Sequence, residues 1–201
     1  MKLYYSPGAC SLSPHIVLRE AGLKFEPVLA STKTHKLQDG TDFYTINPKG
    51  YVPVLELDNG ERLTEGPAIV QYVADQVPAK NLVPAAGSMA RYRVQEWLNF
   101  ITSELHKSIG FMFGPAAEDA KVLMRGRASE RLKWVDQQLE GKQYLMGDSF
   151  SVADAYLFTV TNWTKHVGID ISALKNLGAY MARMAARPAV QEAMKAEGLL
   201  K

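Results

Sequence analysis

The chain has 201 residues, 47% of them hydrophobic, with 23 Lys and Arg against 21 Asp and Glu and a formal charge of +2. That composition is enough to bury one or two cores, and no block of Lys or Arg offers a nucleic-acid surface. No apolar run approaches the roughly 18 residues of a membrane span, and no apolar stretch follows Lys2 to make a signal peptide, so the expectation is a cytoplasmic globular protein. A single cysteine excludes an internal disulfide and fits a reducing compartment.

The first 80 or so residues mix strand and helix signals. KLYYS predicts a strand, SPHIVLREAGL a helix with Pro14 in its first turn and Gly22 at its end, and KFEPVLA a second strand. Strand, helix, strand implies a right-handed parallel crossover. YVPVLELDNGERLTE predicts two strands joined at Asp58-Asn59-Gly60, and a helix runs from Gly66 and Pro67 through AIVQYVADQV. VPAKNLVPAAGS has the composition of a linker. Beyond it the strand signals vanish. ARYRVQEWLNFITSELHKSIGFMF, VLMRGRASERLKWVDQQLEG, SVADAYLFTVTNWTKHVG and NLGAYMARMAARPAVQEAMKAEG each read as helix. The expected domains are 1–80 and 88–201, with 81–87 between them.

Cys10 stands where a strand hands over to a helix. Backbone N–H groups and the helix dipole there favour a negative charge and lower a thiol pKa. Ser13 gives the spacing Cys-x-x-Ser, so an external thiol is the natural partner for a mixed disulfide. The alternative is a small buried hydrophobe. Pro53 opens a strand, where proline is tolerated; with a cis bond, Val52 would turn its backbone outward to pair an extended peptide. Leu63-Thr64-Glu65-Gly66-Pro67 opens a helix whose N–H groups suit a carboxylate, with Glu65 available to an ammonium. Ordinary capping by Thr64 or Glu65 explains that motif equally well.

On the long helix, Val94, Trp97, Leu98, Ile101 and Leu105 share one face at 100° per residue, and Asn99, Ser103 and His106 share the other, with Lys107 beside them. That polar stripe is either a solvated face or the wall of a cleft in which His106 donates a hydrogen bond or a proton. Ser151 and Asp154 form a capping box and belong to folding rather than chemistry.

Taken together, Tyr4-Tyr5-Ser6-Pro7-Gly8-Ala9-Cys10-Ser11-Leu12, Asn47-Pro48-Lys49-Gly50-Tyr51-Val52-Pro53, Leu63-Thr64-Glu65-Gly66, Glu96-Trp97-Leu98-Asn99-Phe100, Ser103-Glu104-Leu105-His106-Lys107 and Ala153-Asp154-Ala155-Tyr156-Leu157-Phe158 resemble the cytosolic glutathione transferases, specifically the bacterial beta class. The resemblance covers the whole chain. It implies an α/β thioredoxin-like N-terminal domain, an all-α C-terminal domain with an electrophile pocket, and a homodimer. It implies that Cys10 meets the glutathione sulfur, that Val52 holds the cysteinyl backbone, and that Glu65 and Gly66 hold the γ-glutamyl end. Asn99 with Ser103, Glu104, Leu105 and His106 would complete the site, partly from a partner subunit. The family often has a serine where Gly66 stands and a lysine at position 35, where this chain has His35 beside Lys36; those two residues and Lys107 are the further candidates.

The resemblance makes glutathione a co-substrate and implies no metal and no other cofactor. The leading expectation is conjugation of glutathione to a small hydrophobic electrophile, aromatic or halogenated, with Cys10 adding thiol transfer, peroxide reduction or dehalogenation. A non-catalytic binding or regulatory protein on the same fold is the alternative. A cysteine hydrolase using Cys10, His106 and Asn99 lacks any oxyanion signature. Met112, Phe113, Tyr156 and Trp163 are candidate walls of an apolar pocket or core residues.

Overall fold

The computed structural model describes residues 1–200. It divides into two compact units, Met1–Leu82 together with the chain from Arg187 onward, and Val83–Ala186. Among the described residues no helix is long and apolar enough to cross a membrane.

The first unit is built on a four-stranded sheet of β1 (Lys2–Tyr5), β2 (Glu26–Leu29), β3 (Val54–Glu56) and β4 (Arg62–Thr64), in the order β2-β1-β3-β4. β1 pairs with β2 in parallel and with β3 antiparallel, and β3 pairs antiparallel with β4. Parallel pairing of β1 and β2 needs a crossover, which α1 (Leu12–Ala21) supplies. Gly22 ends it in the left-handed region at φ 69°, its N–H returned to the carbonyls of Arg19 and Leu18. α2 (Gly66–Asp75) follows β4. Leu3, Leu55, Ile16, Leu18, Ile69 and Val73 are fully buried in this unit, and Tyr4, Phe43, Val52 and Val54 pack together as a separate cluster.

The reading of 176–198 as one helix is corrected. It is two, α7 (Lys175–Ala185) and α8 (Pro188–Ala196). Pro188 forces its predecessor out of the helical region, and Arg187 is extended at φ −68°, ψ 133°. Whereas the sequence suggests a helical domain running to residue 201, α8 packs on α1 in the first unit. Arg187 bonds Glu20 at 2.7 Å and Arg19 bonds Glu192 at 3.3 Å. Beneath them Glu197, buried at the end of α8, accepts from the Gly8 N–H at 2.9 Å and meets His15 Nδ1 at 2.8 Å. The Arg19 guanidinium can only donate, and it donates to His15 Nε2 at 3.1 Å. Nε2 therefore accepts, and Nδ1 carries the proton given to Glu197.

The second unit is helical. Ser88 caps α3 (Met89–Phe100) by accepting from the Arg91 N–H. Where the sequence suggests one continuous helix over 90–113, the chain runs through a π-helical segment, Ile101–His106, into the short α4 (Lys107–Phe111). α5 (Glu118–Gln138) starts with Glu118 and Asp119 against the positive end of its dipole. α6 (Val152–Thr161) is buried along its whole length, as an all-round apolar helix must be. It tightens at Asn162–His166 into a 3₁₀ turn, which ends the helix predicted over 151–168 early.

Asp154 is the anchor of α6. Its carboxylate accepts from the Leu145 N–H at 2.9 Å and from the Ser151 N–H and O–H at 2.8 Å each. The capping box predicted from Ser151 and Asp154 is present, and it also ties the preceding loop to the helix. Burial pushes the Asp154 carboxyl up to about 6, although each of these hydrogen bonds pulls it down. An unfolded aspartate titrates near about 3.9. The folded chain therefore holds more protons between those values, so this stabilisation is complete below the unfolded value and is lost as pH rises through about 6. Asp154 alone should make the fold about 2 kcal/mol more stable at pH 4 than at pH 7. Asp154→Asn should remove that slope from unfolding free energies measured across this range; an unchanged slope would contradict the assignment.

Candidate functional site

In the first unit the loop between β1 and α1 is stapled by Ser11, whose hydroxyl accepts from the Ser6 N–H at 3.1 Å and donates to the Ser6 carbonyl at 3.2 Å. Glu197 fixes its outer turn through Gly8, which sits at φ +70° against the Leu199 side chain. This loop presents Cys10, half-buried, with its Sγ donating to the Val52 carbonyl at 3.3 Å. The donor is the thiol, because a thiolate has no proton to give. Ser13 is fully buried, and its hydroxyl has no hydrogen-bond partner among the described residues.

Val52 precedes a cis bond to Pro53. The chain leading to it is held by Asn47, whose amide donates to the Tyr51 carbonyl at 2.6 Å. Gly50 stands at φ +71°, and any side chain there would run into the Tyr44 ring. The His35 ring lies 4.8 Å from the Tyr44 ring and meets the Gly50 carbonyl through Nδ1 at 2.8 Å. His35 is thus built into the loop ahead of Val52, while Lys36 is exposed on a β-bridge to Asp42.

Glu65 has φ 67° and ψ 111°, a strained conformation for a residue with a side chain. Its carbonyl accepts from the N–H groups of Ala68 and Ile69, each at 3.0 Å. Its carboxylate takes the Lys49 ammonium at 2.5 Å and the Tyr51 hydroxyl at 3.3 Å. The hydrogen bond to Glu65 holds Lys49 above the usual lysine range. Gly66 begins α2 with room for more: an added Cβ would meet nothing nearer than Pro53 Cγ at 4.0 Å.

In the second unit the predicted polar stripe is split. Asn99 and Ser103 are exposed, and the Ser103 hydroxyl donates to the Asn99 carbonyl at 3.0 Å. His106 is half-buried instead, with Nδ1 at 2.5 Å from the Tyr156 hydroxyl and its ring 4.9 Å from that of Trp163. A π-helical turn takes more residues than an α turn, so the 100° progression fails between Ser103 and His106. Leu105 is fully buried. Glu104 is held by Arg131 at 2.8 Å and Arg127 at 2.9 Å, and Arg131 first, then Arg127, keeps its carboxyl below the usual range. Lys107 is exposed.

Of the expected apolar walls, Met112 and Tyr156 are buried, while Phe113 is exposed with its ring 6.0 Å from Trp163. A separate cleft of about 610 Å³ in this unit lies over Trp97, Phe100 and Trp134 and contains none of the predicted site residues. The structure thus brings Cys10 to Val52 and His106 to Tyr156, and it adds Ser11, Lys49, Tyr51 and Glu197. Ser11 carries a signal as a member of the Tyr4–Leu12 motif, Lys49 and Tyr51 as members of the Asn47–Pro53 motif, and Glu197 carries none.

Residues 1–75 match the glutathione S-transferase N-terminal domain and residues 100–188 the glutathione S-transferase C-terminal domain. Glutathione S-transferase GstA of Escherichia coli O157:H7 is 46% identical over 99% of this chain and 100% of its own. The chain belongs to the glutathione S-transferase family and is a glutathione transferase. Two solved structures narrow the class. A sphingomonad glutathione S-transferase complexed with glutathione is 49% identical, covering 100% of both chains, with a TM-score of 0.95. A beta-class glutathione S-transferase of Sphingomonas chungbukensis is also 49% identical over 100% of both chains, at 0.96. This is a bacterial beta-class member of the family.

The orphan hydroxyl of Ser13 yields a test. Ser13→Ala removes a buried polar group that gains nothing from folding, so it should raise the unfolding free energy by about 1 kcal/mol. A loss of stability, read by chemical denaturation, would mean that the hydroxyl has a partner.

Proposed function

We propose that the protein conjugates glutathione to small hydrophobic electrophiles and exchanges thiols through Cys10. The observation that carries this reading is the contact between the Cys10 thiol and the Val52 carbonyl. A glutathione backbone laid along Val52 as an added strand takes that carbonyl and leaves the thiol beside the ligand's own sulfur. Glu65 and the N–H of Gly66 hold the γ-glutamyl ammonium and carboxylate, with Lys49 and Tyr51 fixing the Glu65 carboxylate. His35 sits ahead of Val52 for the glycine carboxylate, and Lys36 is the second candidate.

Asn99, Ser103, His106 and Lys107 contribute from the helical domain, with the homodimer supplying part of this set. Glu104 and Leu105 act indirectly, by anchoring the segment that carries His106.

In conjugation the glutathione thiolate forms the new sulfur–carbon bond. The leaving group departs with its electron pair, and the thiol proton goes to solvent. In thiol exchange the Cys10 thiolate attacks the disulfide of oxidised glutathione, forms a mixed disulfide and releases one glutathione thiolate. Ser13 cannot resolve that bond, so a second external thiol must.

Cys10→Ser separates the two activities. It should abolish thiol transfer and leave measurable conjugation, because the nucleophile in conjugation is the ligand's sulfur. Loss of both to background, with the fold intact, would make Cys10 a general requirement of the site. Retention of thiol transfer would sink the assignment. A second variant tests the γ-glutamyl end. Gly66→Ser adds a hydroxyl without a clash, so it should lower the KM for glutathione about tenfold or more, the range of one hydrogen bond to a charged group. A raised KM would place the carboxylate elsewhere. Sedimentation at micromolar concentration should find a dimer.

A further inference from the structure

His106 does not hold its own orientation: three groups on other turns do. The Tyr156 hydroxyl lies 2.5 Å from Nδ1, the Trp163 ring meets the imidazole edge-on at 4.9 Å and 73°, and Gly110 lies close to Cδ2, where an added Cβ would stand at 3.6 Å. Tyr156 is buried to 2% exposure on α6, the most buried helix of the unit. The Thr102 hydroxyl stands 3.4 Å from the same phenol oxygen, but its proton goes to the Leu98 carbonyl at 2.8 Å.

We propose that Tyr156 is the positioning residue of His106: its phenol donates to Nδ1, which leaves the imidazole proton on Nε2 and makes His106 a hydrogen-bond donor. The geometry carries this. Nδ1 stands 2.5 Å from the phenol oxygen against 3.4 Å for the Thr102 hydroxyl, and a ring whose Nδ1 accepts must keep its proton on Nε2. The π-helical segment is what brings His106 to Tyr156, since a continuous α-helix would have carried it round to the face of Ser103. The role rests on the proposed function, in which His106 donates to an anion of the reaction, the sulfur or the departing group. A proton fixed on Nε2 suits that task and excludes His106 from acting there as a base.

Tyr156→Phe keeps the buried ring and removes only the hydroxyl. Its ¹⁵N-detected imidazole spectrum is read first, in the full chain, with His106 assigned by comparison with His106→Gln. The wild-type signal should report the Nε2–H tautomer, and Tyr156→Phe should shift it toward a mixture of the two tautomers. An unchanged signal, or a wild-type signal of the Nδ1–H tautomer, overturns the proposal. Incorporation of 3-fluorotyrosine at position 156 retains the hydroxyl and the fold and should move the same signal in a graded way, which covers the case of a Tyr156→Phe chain that does not fold.

Kinetics are read second. Tyr156→Phe should lower kcat for conjugation about tenfold or less with the glutathione KM unchanged. It should do nothing further in a His106→Ala background. An equal, additive loss in that background would make the effect structural and overturn the positioning role. If the tautomer shifts while conjugation is unaffected in both Tyr156→Phe and His106→Ala, the placement of Tyr156 stands and the catalytic reading of His106 falls.

Discussion

Glu197 puts one carboxylate between two donors, the half-buried Gly8 N–H and the buried His15 Nδ1, and the loop that carries Cys10 takes its course from that contact. Without an acceptor the buried His15 N–H would cost about 1–3 kcal/mol, far more than a surface pair. The strap is the end of α8 reaching back to the first loop, so its closure fixes three things together. These are the place of α8 on α1, the tautomer of His15 through Arg19, and the left-handed turn at Gly8. Ser11 then folds the remaining residues against Ser6, and Cys10 faces Val52.

The same logic recurs at each candidate position: a side chain is set by a contact from another element. Glu65 is strained in its backbone and held at its carboxylate by Lys49 and Tyr51. His35 is tied to Gly50, and the Tyr44 ring leaves no room for a side chain there. Glu104 gives its charge to Arg127 and Arg131 and so anchors the π-helical segment from outside, while Leu105 anchors it from the core. Glu104 is a candidate ligand-binding residue because it stands inside a family motif. Its carboxylate is engaged by Arg127 and Arg131.

Local chemistry made much of the fold legible. β1, α1, β3, β4 and α2 rest on short-range signals: alternation, Pro14, Gly22, the Asp58-Asn59-Gly60 turn and the helix start at Gly66. The Ser151–Asp154 box is an i, i+3 pattern and could be read for the same reason. The break at Pro188 is equally local, but apolar periodicity continues on either side of it and masks it. What the sequence does not display is the set of long-range contacts. Cys10 meets Val52 across 42 residues, His106 meets Tyr156 across 50, and His15 meets Glu197 across 182. No periodicity encodes these. The π-helical segment was hidden for a different reason, because the face assignment assumed a uniform 100° step.

The central claim is that Cys10 is an addressable thiol set beside a peptide-binding backbone, and not a packing residue. Intact-mass analysis with peptide mapping, after the native protein is incubated with oxidised glutathione, tests it most directly. The account predicts a single glutathionyl adduct on Cys10 that a reductant removes. A protein that takes up no glutathione while native, and takes it up only after denaturation, would contradict it.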